Sequence, residues 1–125
     1  MPRLRLLERR LAVCRLDADA AVPAWARGEL VSITRTRAEL SIVCDEDALP
    51  ADGAPAERGW RALEVEGPLD FDLIGILASL TGPLAAADVP VFALSTYDTD
   101  YLLVLERDLE RALSALERTG HEVES

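Results

Sequence analysis

Between Ser95 and Asp100 the chain sets Ser95-Thr96-Tyr97-Asp98-Thr99-Asp100 between two apolar runs. A plain hairpin would carry Asn-Gly or Gly-Gly there. Hydroxyls and carboxylates instead offer charge-assisted hydrogen bonds, and Asp98 and Asp100 suit an ammonium or guanidinium group. A second segment, Gly67-Pro68-Leu69-Asp70-Phe71-Asp72-Leu73-Ile74-Gly75, leads into a stretch of helical period. The first amides of a helix are unpaired and its dipole end is positive, which suits a carboxylate. A free amino acid carries both charges a few ångströms apart, so one zwitterion could satisfy both segments if the topology sets them side by side. On residue types alone, Asp98 and Asp100 also fit a solvated turn. Asp70 and Asp72 equally fit helix capping, Gly75 close packing, and Tyr97 and Tyr101 strand packing.

Catalysis has little to work with. His121 is the lone histidine, so there is no Ser-His-Asp or Cys-His set. Lys is absent and every basic residue is Arg, which excludes a phosphate-binding P-loop. Asp98 and Asp100 could exchange protons as acid and base, but no nucleophile accompanies them. Cys14 and Cys44 lie in apolar runs and read as reduced, buried thiols. No second histidine or cysteine pair at ligand spacing supports zinc. The expectation is a binding protein with no metal and no cofactor, not an enzyme.

The formal net charge of −10 argues against a nucleic-acid partner. No apolar run approaches the roughly 20 residues of a membrane span, and the N-terminus lacks the apolar block of a secretory signal. A cytoplasmic location is expected, with no membrane partner. Half of the residues are hydrophobic, enough for a folded core.

The elements that must position these residues follow from periodicity. Leu11 to Leu16, Leu30 to Thr34 and Leu40 to Cys44 read as strands, with a short helix over Ala18 to Arg27. Asp45 to Gly59 reads as a loop punctuated by Pro50, Gly53 and Pro55. Trp60 to Val65 is a strand ended by Gly67-Pro68. A helix begins near Leu73, with Ile76, Leu77, Leu80 and Leu84 as its buried stripe. Pro83 should bend it or end its first part. Strands at Val89 to Leu94 and Tyr101 to Leu105 follow. A helix over about Arg107 to Thr119 buries Leu109, Leu113 and Leu116 and stops at Gly120. A last strand can include His121 to Glu124.

From Trp60 onward this order is strand, helix, strand, strand, helix, strand, the split βαβ or ferredoxin-like plan. The fold class is α+β: two ferredoxin-like (βαββαβ) lobes, the first reduced, over residues 1–59 and 60–125. An offset of sixty-two places Thr34 on Thr96, Leu40 on Leu102 and Ile42 on Val104 without a gap. It sets Ala38 opposite Asp100 and Thr36 opposite Asp98, so the acidic pair belongs to the second copy alone.

Three runs carry a family resemblance: Phe71-Asp72-Leu73-Ile74-Gly75-Ile76-Leu77-Ala78-Ser79-Leu80, then Pro83-Leu84-Ala85, then Ala93 through Val104. Together they resemble the ACT domain, in particular that of small bacterial tandem-ACT proteins. The second repeat of those proteins is related to the ACT repeats of aspartate kinase and of the animal cytosolic arginine sensor. Ser32-Ile33-Thr34-Arg35-Thr36 and Glu39 through Cys44 are similar to their first repeat. The resemblance implies a non-catalytic regulatory module that binds a free amino acid at an interface between ACT domains. Carried over by position, the ligand-binding residues are Asp70, Phe71, Asp72, Leu73, Ile74 and Gly75 in the loop. Ser95, Thr96, Tyr97, Asp98 and Asp100 are their partners on the strand pair, with Asp100 on a charged group of the ligand. Ile74 stands where the family pattern carries a hydroxyl-bearing Thr. Asp88 stands where it carries Gly at the helix end, a place Asp can fill because it tolerates the left-handed conformation. Exposed edge strands point to a homodimer, and any output must pass through a regulated protein partner or through assembly. The alternative is a ligand-free protein-interaction or dimerisation module.

Overall fold

The computed structural model describes residues 2–67 and 74–124. In chain order they form β1 (Arg3–Leu6), β2 (Leu11–Leu16), β3 (Ser32–Arg35), β4 (Leu40–Asp45) and β5 (Ala56–Val65). Then come α1 (Ile76–Ala86), β6 (Phe92–Ser95), β7 (Asp100–Leu105), α2 (Leu109–Arg118) and β8 (Glu122–Glu124). Short 3-10 turns, Glu46–Ala48 and Glu106–Asp108, follow β4 and β7. The fold is α+β and ferredoxin-like, and it divides into two compact units. One is Arg9–Trp60; the other joins Met1–Glu8 to Arg61–Ser125.

In the unit Arg9–Trp60 the strands run β3-β4-β2-β5. Ala12, Cys14, Leu40, Ile42, Cys44 and Leu49 bury together, with Leu16, Trp25 and Ala26 packed against them. The helix expected over Ala18 to Arg27 is absent. Isolated turns stand in its place, Ala20 N–H to the Asp17 carbonyl at 3.0 Å and Ala26 N–H to the Pro23 carbonyl at 3.1 Å. Two forces oppose the helix. Pro23 removes a donor, and the carbonyls of Ala18 and Ala20, which a helix would pair four residues on, accept from the Arg35 guanidinium instead.

The expected loop ends early, because β5 already begins at Ala56. Its pairing with β2 passes through a bulge, from Val13↔Glu57 to Leu11↔Trp60. Gly59, at φ +81°, takes up the turn that the extra residue demands. The Gly59 amide donates to Glu46 Oε1 at 2.7 Å.

In the other unit the order is β6-β7-β5-β1-β8. β1 lies antiparallel to β5 (Leu4↔Val65) and parallel to β8 (Leu4↔Val123). The sequence places these first residues in the earlier lobe; the structure groups them with the later unit. Burial explains it: Leu4 is fully enclosed with Leu63, Val65, Leu80, Leu84, Leu102, Val104 and Leu116.

The helix α1 starts at Ile76, later than expected, and buries Leu80 and Leu84. It continues past Pro83 instead of ending there. Pro83 has no N–H for the Ser79 carbonyl, and His121 Nε2 lies 3.1 Å from that oxygen in its place. His121 is buried, with Nδ1 facing the Pro2 carbonyl at 3.3 Å. Asp88 takes the left-handed conformation at φ 60°, and Val89 N–H reaches the Leu84 carbonyl at 2.9 Å. Gly120, at φ 97°, ends α2 in the same way, with His121 N–H on the Leu116 carbonyl at 3.1 Å.

Candidate functional site

The acidic segment is the tip of the β6–β7 hairpin, whose register runs Phe92↔Leu103 to Ser95↔Asp100. The β3–β4 hairpin has the same form, from Ser32↔Val43 to Arg35↔Leu40. Ser32 corresponds to Phe92 and Val43 to Leu103, so the two hairpins match at an offset of 60, not sixty-two. The turns agree: Thr36 N–H donates to the Glu39 carbonyl at 2.9 Å, and Thr96 N–H to the Thr99 carbonyl at 2.8 Å. With this correction the counterparts of Asp98 and Asp100 are Ala38 and Leu40. The acidic pair remains confined to the second hairpin.

Ser95 and Asp100 sit opposite each other, and Ser95 Oγ donates to Asp100 Oδ1 at 2.5 Å. Thr96 Oγ1 reaches the Thr99 carbonyl at 3.2 Å and accepts the Thr99 amide at 3.3 Å. Tyr97 (80% exposed) and Asp98 project outward at the turn. Ile74, 96% exposed, and Gly75, at φ 82°, immediately precede α1, and Gly75 at the cap position offers the helix no side chain. Asp70, Phe71, Asp72 and Leu73 lie outside the described residues. The structure thus gathers Ser95, Thr96, Asp98 and Asp100 on one hairpin tip, and places Ile74 and Gly75 at the helix start.

Sequence reasoning counts Thr99 among the polar side chains of the segment but missed its structural role. Thr99 is buried within the turn, and its Oγ1 donates to the Val65 carbonyl at 2.6 Å. That bond fixes the hairpin tip at the end of β5 from which the chain leaves toward α1. It also missed Glu64, whose carboxylate accepts from Arg5 Nη2 at 3.1 Å and from the Tyr101 hydroxyl at 2.8 Å. Tyr101 is therefore a strand-face residue tied to Glu64. No pattern in the sequence signals either role, since both depend on partners more than thirty positions away.

Among the described residues no cluster of three or more His, Cys, Asp or Glu could hold a metal ion. Cys14 and Cys44 are free, buried thiols. Burial, and then the neighbouring Cys44, pushes the Cys14 thiol up to about 12; burial likewise raises Cys44. A thiolate is the reactive form, so the native protein at pH 8 is expected to leave an aromatic disulfide reagent unreacted until denaturant is added. The sign for stability follows. An unfolded thiol ionises near 9 and the folded Cys14 only near 12, so the unfolded state binds fewer protons between those values. The thiol's contribution is complete below pH 9 and is lost as pH rises toward 12. Cys14→Ala should flatten that alkaline decline in denaturant midpoint.

The chain belongs to the ACT domain family, whose model matches residues 56–118. A second model, for an N-terminal domain, matches residues 10–52. A protein of Agrobacterium tumefaciens with a crystal structure is 41% identical, with a TM-score of 0.91 over 98% of this chain and 91% of that one. The human cytosolic arginine sensor for mTORC1, subunit 1, is 42% identical over 60 residues. That match takes in 47% of this chain and 18% of the sensor, so the chain spans less than a fifth of this curated relative. The regulatory subunit of aspartate kinase from Thermus flavus shares the fold, with a TM-score of 0.66 at 11% identity over 94% of this chain and 96% of that one. The chain thus has a regulatory-type ACT fold related to amino-acid-sensing domains. No helix among the described residues is long and apolar enough to cross a membrane.

Proposed function

We propose that this protein is a non-catalytic regulatory module that binds a free amino acid at an ACT-domain interface. The observation that carries the reading is the β6–β7 tip. Asp100 is half-buried on a strand end with Ser95 on one oxygen, and the tip is hydrogen-bonded to the end of β5. The hairpin anchors a carboxylate for a cationic group, and the first amides of α1 would serve an anionic one. The likeness to an arginine sensor and to an aspartate kinase regulatory subunit supports this reading. In it, the ligand residues are Asp70 through Gly75 with Ser95, Thr96, Tyr97, Asp98 and Asp100, the two lobes are tandem ACT-type repeats, and the protein is a cytoplasmic homodimer acting on a protein partner. The dimer would cover β6, which among the described residues pairs with β7 alone.

A ligand that binds only the native state raises the unfolding midpoint. A thermal-shift screen of the twenty amino acids at millimolar concentration is expected to give a rise for one chemical class of side chain. No response to any of them would reject the proposal. It would favour a second reading, a ligand-free interaction module, to which the exposure of Ile74 and Tyr97 lends support.

A further inference from the structure

We propose that Thr99 is the positioning residue of the β6–β7 tip: its buried hydroxyl latches the turn to the end of β5 and so holds Asp98 and Asp100 in place. The consequence for a ligand rests on the amino-acid reading above; the latch itself does not. A residue in a four-residue turn is ordinarily solvated, and Tyr97 and Asp98 are. Thr99 is 8% exposed. Its amide, carbonyl and hydroxyl are all engaged, the first two inside the turn and the third on Val65, 34 positions away.

The other hairpin shows that the turn does not need this bond in order to form. There Thr36 makes the same closing contacts, its Oγ1 accepting from the Glu39 amide at 3.2 Å. At an offset of 60 the counterpart of Thr99 is Glu39. It also reaches for a neighbouring strand, through Arg15 of β2 at 3.4 Å, and Arg15 donates to the Ala38 carbonyl at 3.2 Å as well, but these contacts are exposed. Exposed ion pairs of this kind contribute little. A buried hydrogen bond cannot be given up without leaving a desolvated carbonyl. The firm latch therefore sits on the hairpin that carries the carboxylates, and the loose one on the hairpin that lacks them.

The test uses Thr99→Val, which keeps the shape and removes the hydroxyl, and Thr99→Ser, which restores it. Thr99→Ala serves if the valine is not accommodated. Amide hydrogen exchange is followed at Thr96, whose N–H closes the turn, and at Leu102 and Val104 in the core. Affinity for the amino acid that gives the largest thermal shift is measured by calorimetry, well below the unfolding midpoint. The expectation for Thr99→Val is exchange about tenfold faster at Thr96 with the core amides unchanged, and affinity about tenfold weaker, the size of one lost buried hydrogen bond. Thr99→Ser should reverse both. If Thr96 and the core amides accelerate together, or Thr96 does not change, the latch is overturned. If Thr96 accelerates while affinity is unchanged, the positioning role is overturned. If the unsubstituted protein binds no amino acid, the ligand reading fails by itself, and the exchange measurement still decides the latch.

Discussion

Asp100→Ala is expected to weaken the proposed amino-acid response while leaving the fold intact. Hydrogen bonds to charged groups contribute about 1.5–3 kcal/mol, so losing the carboxylate should weaken binding by roughly ten- to a hundredfold, read as a smaller thermal shift at the same amino-acid concentration. The fold should survive, because the partner released is the Ser95 hydroxyl, which is exposed and can take a water instead. Asp100→Asn sharpens the test. It keeps an oxygen for Ser95 and removes only the charge, so wild-type affinity in the Asp100→Asn variant would show that charge recognition at this position is not involved. Unliganded midpoints of both variants, compared with the parent, separate a binding loss from unfolding.

Gly28→Ala is expected to give the largest loss of stability among the glycine substitutions. Gly28 has φ +148°, and an added Cβ would lie 2.6 Å from Asp45 Oδ1 and 2.9 Å from the Asp45 backbone nitrogen. The side-chain oxygen can swing away. The backbone nitrogen cannot, because it sits in the ladder of β4 and donates to the Arg27 carbonyl at 2.9 Å. Backbone strain of about 1–3 kcal/mol and overpacking of similar size should together remove about 3 kcal/mol or more, read as a lower urea midpoint. Gly82→Ala is the control. It lies inside α1, and beyond its chain neighbours nothing stands within 4 Å of an added Cβ. The gain of about 0.5–1 kcal/mol from helix propensity is opposed by Pro83, which disfavours the helical conformation for a Cβ-bearing residue just before it, so the midpoint should move far less than for Gly28→Ala. Gly28→Ala that is as stable as the parent would contradict the close approach of Gly28 to β4.

Much of the fold was legible because burial follows period. The stripe through Leu80 and Leu84 and the apolar run from Leu40 to Cys44 declare their buried faces in the sequence. The error in hairpin offset has a physical origin. Side chains alternate with period two, so a slip of two positions keeps every apolar residue on its own face. Thr34 on Thr96 therefore looked as good as the true match, Thr36 on Thr96. The missing helix at Ala18 to Arg27 was illegible for another reason, since the competing donor is Arg35, on a strand still to come. Asp88 was legible as a left-handed helix end only through the family resemblance, which carries Gly at that place; its residue type merely permits the conformation. Of the candidate site, residue types single out Ser95, Asp98 and Asp100 as proposals. The role of Thr99 depends on where the Val65 carbonyl lies, and no local pattern encodes that.

The place of β1 bears on the order of events during folding. Leu4 pairs with Val65 and Arg3 with Glu122, partners 61 and 119 positions apart in the chain. Arg9–Trp60 is therefore an insertion between the first strand of the other unit and the rest of it. Loop closure over such separations is slow to gain a return in contacts. On a ribosome, Arg9–Trp60 can complete its own strands while β1 waits for β8, which follows all the other described strands. Of the two units, the one that carries the acidic hairpin closes later.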